Sequence, residues 1–224
     1  YHSSDNVGSF IRLAEFKGHE NQAPKTLQAI NDRDCGWFHY ANTNDFAKIP
    51  GSPLAYWIPK STFESFNQTR VGQVASVSEG VKTGDNARFL RLWHEVSVGR
   101  SSLLGDLNGK WRPHHKGGDY RRWYGNLDFV INWENDGQAI RSSDNSGLQG
   151  RENYFSAGVT WSKLSSTYLG VRLLPEGVLF DSGSPAAFPT EANQLMALLG
   201  LMSSTAASYL CKMLNPTLNF QVGN

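Results

Sequence analysis

The chain has 224 residues, a formal net charge of +1 and 39% hydrophobic content. That is enough for a substantial core and too weakly charged for a disordered segment. Its longest apolar run, "LMALLGLM" at 195–202, falls far short of the about 20 residues a membrane-spanning helix needs, and the two distant cysteines, Cys35 and Cys211, lack metal or redox spacing, so the expectation is a reduced, cytoplasmic protein with no membrane partner.

The chain opens on Tyr1, with no basic-then-apolar leader, and reads as a piece of a longer protein. In chain order, "SFIRLAEF" (9–16) predicts a strand by its β-branched and aromatic content. "PKTLQAI" (24–30) predicts a short helix opened by Pro24. Residues 36–59 are strand and turn material, broken by Pro50, Gly51, Pro53 and Pro59. Ser61 and Glu64 stand at capping-box spacing, so a helix is expected to start there.

From 72 to 96 the pattern is strand, turn, strand, with Gly80 and "TGDN" (83–86) as the turn. "DFVINW" (128–133) predicts one strand, and "GVTWSKL" (158–164), "YLGVRLL" (168–174) and "GVLFD" (177–181) predict three in a meander. "TEANQLMALLGLMSSTAASYLCKML" (190–214) reads as one long helix capped by Thr190 and stopped by Asn215-Pro216. Leu195, Leu198, Leu199, Met202, Ala206, Tyr209, Leu210 and Met213 would form its apolar face. Many strands closed by one helix imply an α+β fold, mixed and mostly antiparallel. The division expected is a small lobe over 1–70 and a larger β-rich domain over 71–224.

The charge is uneven. Residues 110–124, "KWRPHHKGGDYRRWY", hold five Lys/Arg against one acid, Asp119, and the rest of the chain carries more acids than bases. Lys110, Arg112, Lys116, Arg121 and Arg122 can neutralise phosphates, and Trp123 and Tyr124 can stack on bases. His114 and His115 would gain charge beside phosphates; adjacent histidines with no cysteine nearby make a poor zinc site. The bland alternative is a solvated loop whose tryptophans belong to the core. A second candidate is "GVKTGDNARF" (80–89), where Lys82, Thr83, Asp85, Asn86 and Arg88 project hydrogen-bonding groups from a glycine-bracketed turn. Asn can read adenine and Arg guanine; the bland alternative is an ordinary polar turn.

Nothing bids strongly for catalysis. There is no Ser-His-Asp arrangement, dinucleotide fingerprint or phosphate loop. Asp128, Glu134 and Asp136 are not arranged as a metal-dependent nuclease requires. "LNPTLNF" (214–220) has Thr217 and Leu218 where an adenine-methylating Asn-Pro-Pro-aromatic motif needs proline and an aromatic ring.

Several blocks in one order carry a resemblance: "IRLAEFKGHENQAPKTLQAIN", "FAKIPGSPLAYWI", "GVKTGDNARFLRLWHEV", "KWRPHHKGGDYRRWYGNLDFVINWENDG", "VTWSKLSS", "VLFDSGSPAAFP" and "LNPTLNFQVGN". Together they are similar to the adenine-specific DNA methyltransferases of BREX phage-defence systems (the PglX family), with some blocks shared by Eco57I-type restriction-modification enzymes. The resemblance implies a methyltransferase core N-terminal to these blocks, which binds S-adenosylmethionine and carries the Asn-Pro-Pro-aromatic motif. This piece, by the same resemblance, is the tail of that core and most of a target-recognition domain. It would be non-catalytic and hold no cofactor, and it would read a short site on double-stranded DNA. A second reading, from "WFHY" (37–40) and "LAYWI" (54–58), is a surface that docks another subunit of the defence system.

Overall fold

The computed structural model describes residues 6–102, 109–165, 168–214 and 220. The chain divides into two compact units, residues 1–70 and 71–224.

In the first unit β1 (Val7–Ile11) pairs antiparallel with β2 (Phe38–Asn42). The helix between them, α1 (Gln22–Asn31), takes Pro24 within its first turn, where a missing N–H is harmless. α2 (Thr43–Phe46) and α3 (Lys60–Ser65) follow. Asn42 caps α2 by accepting from Asn44 N. The capping box expected at Ser61 does not form; Pro59 occupies the N-cap, and Ser61 lies inside the first turn. The aromatic stretches proposed for docking are engaged within this unit only in part, since Tyr40 and Leu54 are exposed. Tyr56 stacks on Phe10 at 4.6 Å, Arg12 lies over Trp57 at 4.2 Å, and Trp37 donates its indole N–H to Lys25 O.

The second unit is built on two four-stranded sheets. One has the order β10-β9-β12-β3, with β3 (Ala75–Ser78), β9 (Gly158–Trp161), β10 (Val171–Leu174) and β12 (Ala186–Pro189). The other has the order β11-β6-β7-β5, with β5 (Leu90–Leu92), β6 (Trp111–His115), β7 (Phe129–Asn132) and β11 (Leu179–Phe180). A small ladder joins β4 (Val81–Lys82) to β8 (Gly147–Leu148). Every named strand pair is antiparallel except β11 with β6. The fold class is α+β.

The expected meander is not what forms. β9 and β10 are neighbours, but β11 leaves them to run parallel to β6, and "AAFP" enters the first sheet instead as β12. Short helices punctuate the strands: α4 (Val71–Val74), α5 (Asn86–Phe89) and α6 (Glu134–Arg141). α6 opens on three left-handed residues, Asn135, Asp136 and Gly137.

The long closing helix is two helices, α7 (Leu195–Met202) and α8 (Thr205–Leu214), and the Ala192–Met202 and Thr205–Leu214 segments meet at 73°. Ser204 causes the break: its hydroxyl accepts from Ala207 N and starts a new helix, the local competition that serine offers a backbone. The turn re-aims the apolar face, so Ser208 and Met213 are buried and Ala206 and Tyr209 are exposed. Residues 215–219, which include the expected Asn215-Pro216 stop, lie outside the described residues.

Two apolar clusters fill the unit. The first centres on Phe89, Ile131, Leu179, Phe180 and Phe188. The second joins Val159, Trp161 and Val171 to Leu198 and Leu199 of α7. Each buried side chain of this size is worth about 1.5–3 kcal/mol. Gly80 is fixed by this packing: a Cβ there would lie 2.0 Å from the Phe180 carbonyl oxygen.

Candidate nucleic-acid interface

β4 ends at Lys82, and the chain turns through Thr83 and Gly84 into α5. Gly84 has φ +70°, and a Cβ there would press on the Asp144 carbonyl at 2.8 Å. Asp85 caps α5, accepting from Arg88 N at 3.0 Å. Thr83, itself buried, donates to Asn86 Oδ1 at 2.6 Å. The turn is thus a rigid base carrying Lys82 and Asn86 outward.

Facing it is the turn after β11. Ser182 N donates to Val81 O at 3.0 Å, and Val81 bridges Asp181 in parallel. Between these turns lies an open polar cleft of about 250 Å³, lined by Lys82, Thr83, Gly84, Asn86, Lys116, Asp181 and Ser182. Burial works against the Asp181 carboxylate. His114 and Lys116 nearby and the Gly183 N–H outweigh it and hold the pKa below the usual carboxylate value. The distances are 3.5 Å to His114 Nε2, 3.8 Å to Lys116 Nζ and 2.7 Å to Gly183 N.

The basic stretch 110–124 divides in two. Its first part is a strand, not a loop. His114 and His115 on β6 have no exposed surface, so neither reaches a duplex, and the expectation that they gain charge beside phosphates is corrected. Burial, then the charges of Arg172 and His114, push the His115 pKa down to about 3. Neutral His115 accepts at Nε2 from Arg172 Nε, 3.2 Å, because a guanidinium can only donate. Its Nδ1–H therefore donates to Ser184 Oγ, 2.8 Å, and Ser184 passes a hydrogen bond to Thr160 Oγ1, 2.9 Å, which donates to Pro185 O. Arg172, fully buried, also donates to Ser162 Oγ at 3.0 Å, which donates to Gly118 O. This chain of hydrogen bonds ties β6 to β9, β10 and the start of the next loop.

Among the other candidates, half-buried Arg112 lies over the Phe155 ring at 5.4 Å, and Lys110 pairs with Glu134 at 2.9 Å. The second part of the stretch is surface. Arg121, Trp123 and Tyr124 are exposed, and Arg122 is half-buried. Arg88 is exposed over the Phe89 ring. The two segments that stood apart in the sequence therefore converge at one place: Lys82, Thr83 and Asn86 meet Lys116. Asp85, Arg88, Lys110, Arg112, Arg121, Arg122, Trp123 and Tyr124 do not line the cleft.

Sequence reasoning passes over Asp181, Ser182 and Arg172. "DSG" is an Asx-turn signal, realised as Asp181 Oδ1 accepting from Gly183 N; Arg172 has no such local signal. The carboxylates considered for nuclease chemistry do not converge. Glu134 is paired with Lys110, and Asp136 with Arg141 and Arg151. Among the described residues no group of three or more His, Cys, Asp or Glu could hold a metal ion.

No family model matches the chain. Among curated proteins, it is 34% identical over 231 residues to the adenine-specific methyltransferase PglX of Lacticaseibacillus casei (strain Zhang), covering 97% of this chain and 19% of that protein. It is 36% identical over 225 residues to the adenine-specific methyltransferase BrxX of Escherichia coli O9:H4 (strain HS), covering 100% of this chain and 18% of that protein. The chain spans about a fifth of the length of these relatives. The similarity runs over essentially its whole length, as the resemblance implied: the chain is PglX-like, similar to one segment of these two adenine-specific methyltransferases.

Proposed function

We propose, from this kinship, that the chain is the DNA target-recognition part of an adenine-specific methyltransferase of a defence system. It grips a duplex and reads a short site for a methyl-transferring core elsewhere in the protein. The observation that carries the reading is the convergence of Lys82, Asn86 and Lys116 on one open cleft. The two ammonium groups suit phosphates, which position a duplex, and the Asn86 amide suits a base edge, which specifies it. The ionised Asp181 adds an acceptor for an exocyclic amine and tempers Lys116.

S-adenosylmethionine belongs to the rest of the protein in this reading. None of the seven cleft residues is aromatic or apolar enough to hold an adenine ring.

The test is fluorescence anisotropy of the chain with mixed-sequence duplex DNA between about 50 and about 200 mM salt. Affinity that falls steeply with salt supports the reading. No binding at the lowest salt opposes it and turns attention to docking of another subunit, for which Tyr40 and Leu54 are exposed on the first unit.

A further inference from the structure

The loop at 119–126 is held more firmly than a connection requires. Asn126 Nδ2 donates to Asp119 O at 3.1 Å and closes it, and Ser162 Oγ holds Gly118 O at 2.9 Å. Trp123 N donates to Val171 O at 3.0 Å, and Leu173 N donates to Trp123 O at 2.9 Å. Trp123 thereby covers the free edge of β10, the outer strand of its sheet, which would otherwise offer unpaired backbone groups. Gly170 lets the loop sit this close, since a Cβ there would meet Tyr120 Cδ2 at 3.0 Å and Arg121 O at 3.1 Å.

Edge coverage needs only the backbone of residue 123. It explains the left-handed φ of +72°, a conformation that costs a residue with a Cβ of order 1 kcal/mol and suits glycine better. It does not explain an indole there. The side chains gain little from folding: Tyr120 is 45% exposed, Trp123 53% and Tyr124 60%. Three large rings left in water on a pinned loop form a pre-organised contact surface, which loses little entropy on binding.

Charge identifies the occupant. Arg121 is exposed among these rings. Beneath lies Arg172, fully buried, with its Nη1 unpaired and with no carboxylate in ion-pair range among the described residues. Burial and then the Arg121 charge bring the Arg172 pKa to about 10, so it stays cationic at neutral pH. Rings on a positively charged base suit a nucleotide better than an apolar peptide face.

We propose that the loop is a stacking site for a nucleobase that has left its duplex stack, taken on the faces of Trp123 and Tyr124, with Arg121 on the adjoining phosphate. The proposal rests on the DNA reading above. The test uses the full-length protein that carries this chain and two duplexes of one sequence, the second containing a single unpaired 2-aminopurine. Wild-type protein binds the second about tenfold more tightly and quenches its fluorescence, a preference in the range of one base–aromatic stack. Trp123→Ala and Tyr124→Ala each lose most of the preference and keep the paired-duplex affinity, and Trp123→Phe retains it. Equal wild-type binding of both duplexes overturns the stacking site while leaving DNA recognition standing. So does a preference that both alanine variants keep, and the rings then serve a protein contact. Failure of the wild-type protein to bind either duplex overturns the recognition reading itself.

Discussion

Replacing His115 by glutamine should flatten the response of stability to mild acid. His115 is fully buried, with a folded pKa near 3 against an ordinary 6.5. Its neutral form is the one the fold accepts. Above pH 6.5 the imidazole is neutral in both states, and its contribution is fully present. Below 6.5 the unfolded chain takes up a proton that the folded chain refuses, so stability falls with pH until about pH 3. Each pH unit in that window costs about 1.4 kcal/mol, so between pH 7 and pH 5 the wild-type protein loses about 2 kcal/mol through this residue. Asp181 does not confuse that range, because its carboxyl titrates below it. His39, in the first unit, is shifted in the same direction, by burial and then by Arg12. It is present in both proteins and cancels. The glutamine of the His115→Gln variant keeps an acceptor for Arg172 and cannot titrate. Urea unfolding at pH 7, 6 and 5 should show the wild-type curve falling more steeply than the variant's by about 2 kcal/mol overall. Parallel curves would refute the buried neutral histidine, and with it the placement of β6 inside the protein.

Other outcomes follow from single interactions. Gly80→Ala drives a methyl group into the Phe180 carbonyl, whose oxygen would lie at 2.0 Å; it should lower unfolding free energy by about 2–3 kcal/mol or more, read by urea denaturation. Asp85→Ala removes the cap of α5 and should cost about 1 kcal/mol, whereas Asp85→Asn should recover most of it. Lys82→Ala with Lys116→Ala should weaken duplex binding and lower the slope of log affinity against log salt by about 2, one for each phosphate no longer neutralised. An unchanged slope would exclude the cleft as a phosphate site.

Much of the architecture was legible because it depends on local signals. Pro24 marked the first helix, "DFVINW" marked β7, and "GVTW" with "VRLL" marked the antiparallel pair β9–β10. Partner choice was not local. β11 has two residues and takes its place beside β6 because Phe180 and Leu179 are needed in the core there, which no spacing announces. The long helix failed at Ser203-Ser204, where a hydroxyl that is tolerated inside a helix also makes a good cap. At the candidate site, Lys82, Thr83, Asn86 and Lys116 were visible as chemistry. Their meeting depends on Asp181 and Ser182, remote in sequence. The sharpest misreading was "HH". Two histidines beside arginine and lysine look like surface; both are core because β6 lies between β11 and β7, and Arg172 and Ser184, 57 and 69 residues from His115, supply the hydrogen bonds of His115.

In the proposed reading, this chain chooses the DNA sequence. The most direct measurement exchanges residues 71–224, in the full-length protein, for the matching segment of a relative that methylates a different site, and maps methylated adenines by sequencing. An active exchange enzyme should methylate the donor's site. An active exchange enzyme that keeps the recipient's site would contradict it.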